Sequence, residues 1–212
     1  MSSTNVEAFI RFARDGSFEK VKQCLEDGNV HIDSINKDGW TALMMAAENG
    51  PEGVCDLLIT RGCKLDMQSN NGGTALMLAA YYGHEGVCDL LITRGCKADM
   101  QNYNGDTALM FAAWNGHIPI MISLIEAGCN HSLNNKEGKS GMDLLRQKHP
   151  DKVKEVQVIR LPYSPTHSPT HSPTHSPTHS PTHSPTHSPT HSPTHSPTHS
   201  PTLLPSSSLP LH

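Results

Sequence analysis

Cysteine and histidine supply most of the reactive side chains of this 212-residue chain, with six Cys and fifteen His. Both residue types ligate metals, and both act as nucleophiles or bases when they are suitably paired. No two cysteines have the Cys-x-x-Cys spacing typical of a zinc site. Five of them instead recur at intervals of 33 residues: Cys55 and Cys88, and then Cys63, Cys96 and Cys129.

The regular spacing of these cysteines argues against disulfide bonds. Equivalent positions in neighbouring units of a helical stack lie about 8–10 Å apart, whereas a disulfide requires Cα atoms within roughly 7 Å of each other. Free cysteine is among the most buried residue types. We therefore interpret the repeated cysteines as small core residues, with redox sensing as the alternative.

No arrangement of residues typical of a catalytic site is found. The 33-residue spacing brings no Ser-His-Asp or Cys-His pairing together, and the phosphate-binding pattern Gly-x-x-x-x-Gly-Lys is absent. We predict no enzymatic activity, no cofactor and no metal site in the repeats. Four carboxylates are interpreted as solvated surface residues rather than as an acid–base pair: Asp66, Asp99, Glu48 and Glu52.

A 33-residue repeat dictates where these side chains lie. Residues 53–68 read GVCDLLITRGCKLDMQ and residues 86–101 read GVCDLLITRGCKADMQ, so fifteen of sixteen positions are identical. The tetrapeptide Thr-Ala-Leu-Met begins at residues 41, 74 and 107 with the same interval. Self-similarity of this period is the signature of a solenoid, in which each unit buries its apolar face against its neighbours.

Each unit is predicted to be a turn followed by two helices. Asp38-Gly39 suits a tight turn, because both residues tolerate the backbone angles that such turns require. Thr41 is placed to cap the first helix, which ends near Gly50. Pro51 suits the first turn of the second helix, which ends at Gly62. The apolar stripe of this second helix is formed by Val54, Leu57, Leu58 and Ile59.

These units resemble the ankyrin repeat in their period, in the Gly-x-Thr helix opening and in the Ala-Ala-x-x-Gly helix end. The resemblance implies an all-α ankyrin solenoid of helix-turn-helix units with β-hairpin or turn fingers. Thr-Ala-Leu-Met replaces the family's Thr-Pro-Leu-His, so Met44, Met77 and Met110 are expected to pack where the family makes a hydrogen bond. His84 and His117 each follow a glycine that ends a predicted helix, a position where the family also favours His, so the resemblance implies a structural role for both. The expected divisions are an N-terminal capping repeat at 1–38, repeats at 39–71, 72–104 and 105–137, a degenerate C-terminal capping repeat at 138–160, and a tail at 161–212.

The resemblance implies that the protein binds another protein through its concave face and finger tips. In ankyrin repeats the residue before the Thr and the two after Ala-Ala vary freely and face this side. Aromatic residues are concentrated there, and Trp and Tyr dominate binding hot spots. An alternative is a regulatory subunit or inhibitor of an enzyme supplied by another chain. The predicted partner-binding residues are Trp40, Glu48, Asn49, Tyr81, Tyr82, Tyr103, Trp114 and Asn115.

The tail consists of ten Ser-Pro-Thr steps separated by His. Regular proline resists helix and sheet, and this composition cannot bury a core, so the tail is expected to be disordered. It could be a spacer, a substrate of proline-directed kinases, or a weak metal-binding segment through its histidines. The candidate phosphorylation sites are Ser164, Ser168, Ser172, Ser176 and Ser180.

Composition excludes several functions. The formal net charge is −4 and no basic run is present, so nucleic acid is not an expected partner. No run of 18 apolar residues occurs, and residues 1–16 lack the pattern of a secretory signal, so we expect a cytoplasmic or nuclear protein with no membrane contact. Its cysteines should then be reduced. We expect a monomer.

Overall fold

The computed structural model describes residues 3–159, which form a two-layered stack of short helices. The inner layer contains α1 (Ser3–Arg14), α3 (Ala42–Asn49), α5 (Ala75–Tyr82), α7 (Ala108–Asn115) and α9 (Gly141–Lys148). The outer layer contains α2 (Phe18–Glu26), α4 (Glu52–Thr60), α6 (Glu85–Thr93), α8 (Ile118–Glu126) and α10 (Val153–Ile159). Each inner helix packs against the next inner helix and against the outer helix of its own unit. The all-α solenoid prediction is confirmed.

The inner helices begin and end where the sequence predicts. The Thr41 hydroxyl accepts a hydrogen bond from the backbone N–H of Met44 at 3.1 Å, which satisfies one of the donors left unpaired at a helix start. Thr74 and Thr107 cap α5 and α7 in the same way. Gly50, with φ of 84°, adopts the left-handed conformation that ends α3.

The three methionines of the Thr-Ala-Leu-Met segments lie in the core, as expected. Met44, Met77 and Met110 are each at most 2% exposed. Their flexible thioether side chains fill the space between stacked units without a polar group that would need a partner. At this position, therefore, the described repeats pack against one another through apolar contacts.

The finger that precedes each of these inner helices is formed by turns rather than by a β-hairpin. Within residues 3–159 the only extended pairing is an isolated bridge between Ile35 and Thr41. Neighbouring fingers are joined by one backbone hydrogen bond at the same register each time: Asn70 to Asp38, Tyr103 to Asn71, and Lys136 to Asn104. This regular contact fixes the spacing of the fingers.

Two of the carboxylates predicted to be solvated surface residues in fact join adjacent units. Asp66 accepts a hydrogen bond from the backbone N–H of Lys97 at 2.9 Å. Asp99 accepts one from Asn130 at 2.7 Å, and Asp33 makes the equivalent bond with Lys64. The interpretation of Asp66 and Asp99 as merely solvated was therefore incomplete, because each satisfies a backbone donor of the next unit.

The last unit forms helices through residue 159 despite its divergent sequence. The Ser140 hydroxyl caps α9, and the Ser140 backbone N–H donates to the Asp143 carboxylate, which completes a capping box. The predicted second helix at 150–159 begins as a 3₁₀ turn at Pro150–Lys152 before α10. The tail predictions, including disorder at 161–212 and the five candidate phosphoserines, lie outside the described residues.

Candidate protein-binding face

The last two positions of the inner helices α3, α5 and α7 vary among the units. Helices α3, α5 and α7 each have eight residues and begin after a capping Thr, so their last two positions are equivalent. Their Ala-Ala pairs are buried, whereas the following residues lie toward the surface. The final pairs are Glu48-Asn49, Tyr81-Tyr82 and Trp114-Asn115.

Tyr81 lies at the centre of an aromatic cluster. Its ring meets the Tyr82 ring edge to face, with centroids 5.0 Å apart, and the Phe111 ring in the same manner at 5.8 Å. Such pairs are held by ring quadrupoles in addition to apolar contact. The Tyr82 hydroxyl donates to Glu48 Oε1 at 3.1 Å. Partial burial, together with the Glu48 carboxylate, raises the pKa of Tyr82 above its usual value. The rings are therefore held in place while Tyr81 remains 41% exposed.

Trp114 is also 41% exposed, and its ring contacts a lysine of the next unit. The Lys148 ammonium lies 3.8 Å from the centroid of the Trp114 ring, a cation–π contact. Lys148 belongs to the last turn of α9, so the last unit helps to orient this ring.

A histidine from the next unit anchors the backbone beneath each of these positions. His84 Nε2 lies 2.9 Å from the Glu48 carbonyl, His117 Nε2 lies 3.2 Å from the Tyr81 carbonyl, and His149 Nε2 lies 3.1 Å from the Trp114 carbonyl. The carbonyl oxygen accepts in each case, so the ring nitrogen donates. The predicted structural role of His84 and His117 is confirmed. Sequence reasoning missed His149 because it follows His117 by 32 residues, one fewer than the period.

The inner helices and fingers enclose a groove with two hollows. The first, of about 370 Å³, is lined by Trp40, Glu48, Tyr81, Tyr82 and finger residues that include Asn71 and Asn102. The second hollow has a volume of about 250 Å³. Its lining residues are Tyr81, Phe111, Trp114, Asp106, Asn135, Glu137, Met110 and Leu144.

Phe111 lines both hollows, and sequence reasoning missed it together with Leu78. Each directly follows a Thr-Ala-Leu-Met segment and is half-buried. A signal was present, because Leu78 precedes Tyr81 by three residues and Phe111 precedes Trp114 by three, which places them on the same helix face.

The structure brings only some of the predicted binding residues into the groove. Trp40 is half-buried and packs partly against the core. Tyr103 is 63% exposed at the tip of its finger and lines neither hollow. Asn49 and Asn115 donate to Met45 and Phe111 carbonyls of their own helices, so their amides satisfy the helix ends. Glu48, Tyr81, Tyr82 and Trp114 remain as the predicted residues that line the groove with Trp40.

The cysteines are all free thiols that are buried or half-buried. Burial is the main cause that raises the pKa of Cys55, Cys63 and Cys88 to about 12. The thiolate is the reactive form, so these side chains are poor nucleophiles at neutral pH. Their interpretation as core residues is confirmed. Among the residues that the structure describes, no group of three or more His, Cys, Asp or Glu is placed to hold a metal ion.

Comparison with known proteins agrees with the helical stack. A family model described as ankyrin repeats, in three copies, matches residues 2–69 and 52–135, which is more than half of the chain. No curated protein matches the sequence. None of the helices described here has the length and apolar character needed to cross a bilayer. The chain belongs to the ankyrin-repeat family, whose repeats are generic protein–protein interaction modules and are typically non-enzymatic.

Proposed function

We propose that this protein binds a partner protein through the groove between its inner helices and fingers, with Tyr81 and Trp114 at the centre of the interface. One observation carries the proposal. The aromatic cluster is exposed at helix ends whose backbone is fixed by hydrogen bonds from the next unit. Trp and Tyr are the residues most enriched in binding hot spots, and a preorganised surface loses little entropy on binding.

The exposed rings are not part of the buried core, although each contacts a neighbouring unit at its edge. Tyr81, Tyr82 and Trp114 each remain about half accessible, whereas the Ala-Ala pairs of the same helices are buried. Several large exposed apolar groups in one groove are uncommon on a monomeric protein unless they bind something. Trp40 and Glu48 extend this surface toward the N-terminal end, and Tyr103 extends it toward the finger tips.

Partner capture tests this proposal. The full chain is immobilised, bound proteins are identified by mass spectrometry, and the affinity of the main partner is then measured for Trp114→Ala. The variant should lose about 2 kcal/mol or more of binding free energy, as hot-spot truncations do. Because the ring is outside the core, the free energy of unfolding should fall by no more than about 1 kcal/mol, the value of an exposed cation–π contact.

Phe18 provides the matched control, because it is an aromatic residue of α2 with nearly the same exposure, 40%. Phe18→Ala should leave partner affinity unchanged. Equal loss of affinity in both variants, or unchanged affinity for Trp114→Ala, would refute binding through the groove.

A regulatory role is the second form of the same function. If the captured partner is an enzyme, the ankyrin array acts as its inhibitor or positioning subunit, and addition of the monomeric protein should change the turnover of that enzyme. Unchanged turnover at saturating concentration would leave only the binding role.

Phosphorylation of the tail is proposed from its Ser-Pro sequence alone. Proline-directed kinases in the cytoplasm or nucleus would act on Ser164, Ser168, Ser172, Ser176 and Ser180. Each phosphate adds about −1.5 to −2 charges at neutral pH. Mass spectrometry of the protein from cells should show a ladder of phosphorylated forms, whereas a single unmodified mass would leave a spacer or a weak metal-binding segment.

A further inference from the structure

We propose that the second hollow, lined by Tyr81, Phe111, Trp114, Asp106 and Glu137, binds a single lysine or arginine side chain from a basic peptide segment of the partner. This inference rests on the proposed function and adds the chemistry of the partner to it. The hollow combines three aromatic rings with two carboxylates in one small space.

The volume of the hollow suits one side chain. It measures about 250 Å³, below the roughly 300–1,000 Å³ typical of sites for whole small molecules. Its floor is apolar, with Met110 and Leu144, and its charged groups are Asp106 and Glu137. A long side chain with a methylene stem and a charged end matches that arrangement, because Lys and Arg bury their stems along apolar surface.

The charge of the lining selects a cation. Within the described residues, the two hollows are lined by the carboxylates of Glu48, Asp106 and Glu137 and by no Lys, Arg or His side chain. Ring faces carry negative potential and attract ammonium and guanidinium groups. An acidic or phosphorylated peptide would be repelled by the same groups.

The two carboxylates differ in how they are already bound. Glu137 pairs with Lys139 at 2.9 Å on the surface, and such exposed pairs are worth only about 0–1 kcal/mol, so an incoming cation can replace Lys139. Asp106 accepts from the Asn135 amide at 2.8 Å and forms no ion pair within residues 4–156. Asp106 is therefore the carboxylate that would gain most from a guanidinium.

One ring of the hollow already contacts a cation, which an incoming side chain would have to displace or avoid. The protein already holds an ammonium against a ring of the hollow, since Lys148 lies 3.8 Å from the Trp114 centroid. The Trp114 ring is thus oriented by a cation–π contact in the free protein.

The protein's own tail is a poor candidate for the occupant, because the chain contains no Lys or Arg after residue 160.

A hollow on the outer layer has carboxylates without the aromatic rings. It is lined by Glu52, Asp56 and Asp89 but has no aromatic ring. Its own Arg94 also lines it and pairs with Asp56 at 2.7 Å. This outer hollow therefore supplies the control position.

Nuclear magnetic resonance of the full chain tests the proposal directly. The chain has two Trp, so its spectrum contains two indole N–H signals, one from each hollow, which Trp40→Phe assigns. The probes are blocked pentapeptides of Gly and Ser with a central Arg, Lys or citrulline. Citrulline keeps the shape of Arg without its charge. The Arg and Lys peptides should shift the Trp114 signal and bind at least about tenfold more tightly than the citrulline peptide, as hydrogen bonds to charged groups do.

Two double variants with the same change in net charge identify the carboxylates. Asp106→Asn with Glu137→Gln should abolish the preference for Arg over citrulline. Asp89→Asn with Glu126→Gln, on outer helices, should retain it. Equal binding of the Arg and citrulline peptides, or equal loss in both double variants, would overturn the proposal. A Trp114 signal that shifts with protein concentration but with none of the peptides would assign the hollow to a second copy of the chain. That result would also overturn the proposal.

The outcomes separate this inference from the proposed function. If the partner needs Trp114 but no peptide distinguishes Arg from citrulline, the cation site is wrong and groove binding stands. If the Arg peptide binds while Trp114→Ala leaves partner capture unchanged, groove binding by the partner is wrong and the cation site stands.

Discussion

The outer helices α4 and α6 and the ends of the inner helices α3, α5 and α7 differ in how their sequences repeat. Helices α4 and α6 have the identical sequence EGVCDLLIT. The inner helices α3, α5 and α7 share Ala-Leu-Met and Ala-Ala, but end in Glu-Asn, Tyr-Tyr and Trp-Asn. The repeated residues are mostly buried between units, and the differing ones lie at the groove. At these positions repeated residues form the stack, and the proposed binding face uses residues that differ between units; α8, with the sequence IPIMISLIE, packs on α6 without repeating its residues.

This separation is possible because each of the inner helices α3, α5 and α7 is fixed at both ends by groups that do not vary. A Thr hydroxyl caps its start, a left-handed glycine ends it, and a histidine of the next unit holds its last turn. The last two side chains can therefore change without altering the backbone that presents them. The following predictions test this division.

The largest expected effect comes from truncating a buried side chain of the outer layer. Leu91 of α6 is fully buried, so Leu91→Ala should lower the free energy of unfolding by about 2–5 kcal/mol through lost burial and a cavity. Urea unfolding followed by circular dichroism measures the change. Tyr82→Ala at the groove should cost no more than about 1 kcal/mol, the value of an exposed aromatic pair. Equal costs would remove the distinction between the two regions.

The next effect concerns the outer-layer thiols at high pH. Burial raises the pKa of Cys55 and Cys88 from 9.0 to about 12. Between about pH 9 and 12 the unfolded chain therefore loses thiol protons that the folded chain keeps, so stability falls as pH rises. Each thiol contributes about 1.4 kcal/mol per pH unit in that window, and no loss occurs below the unfolded pKa.

Comparison of two proteins isolates this effect from other groups that titrate. Urea unfolding at pH 8 and at pH 10.5 should show a smaller loss of stability for Cys55→Ala/Cys88→Ala than for the unchanged chain. The same pH dependence in both would mean that these thiols are not protected by the fold.

A smaller effect is expected at the junction of the two regions. His117→Ala leaves the Tyr81 carbonyl without its donor and should cost about 0.5–1.5 kcal/mol, the net value of one hydrogen bond. It should also weaken partner binding, because it frees the backbone beneath Tyr81. Urea unfolding and partner affinity are the two measurements. Lys97→Ala, at an exposed outer position, should change neither the free energy of unfolding nor the partner affinity. Unchanged affinity for His117→Ala would show that the hydrogen bond to the Tyr81 carbonyl does not hold the groove in place.

The sequence predicted the helices well because the signals that set them are local. The capping Thr41, the terminating Gly50 and the 33-residue period place α3 and α4 to within two residues. The site was harder to predict, because side-chain direction depends on neighbours in space. Asn49 and Asn115 turn back onto their own helices. Asp66 and Asp99 receive hydrogen bonds from residues 31 positions later, which no local pattern reveals.

The hydrogen bonds between fingers have a consequence for how such a chain can change its length. The same backbone bond joins Asn70 to Asp38 and Tyr103 to Asn71, and Asp33 and Asp66 bridge to the following unit in the same way. A gene duplication or deletion of one 33-residue segment therefore recreates a junction that already exists and breaks none. The array can lengthen or shorten in whole units, each step adding or removing one variable helix end.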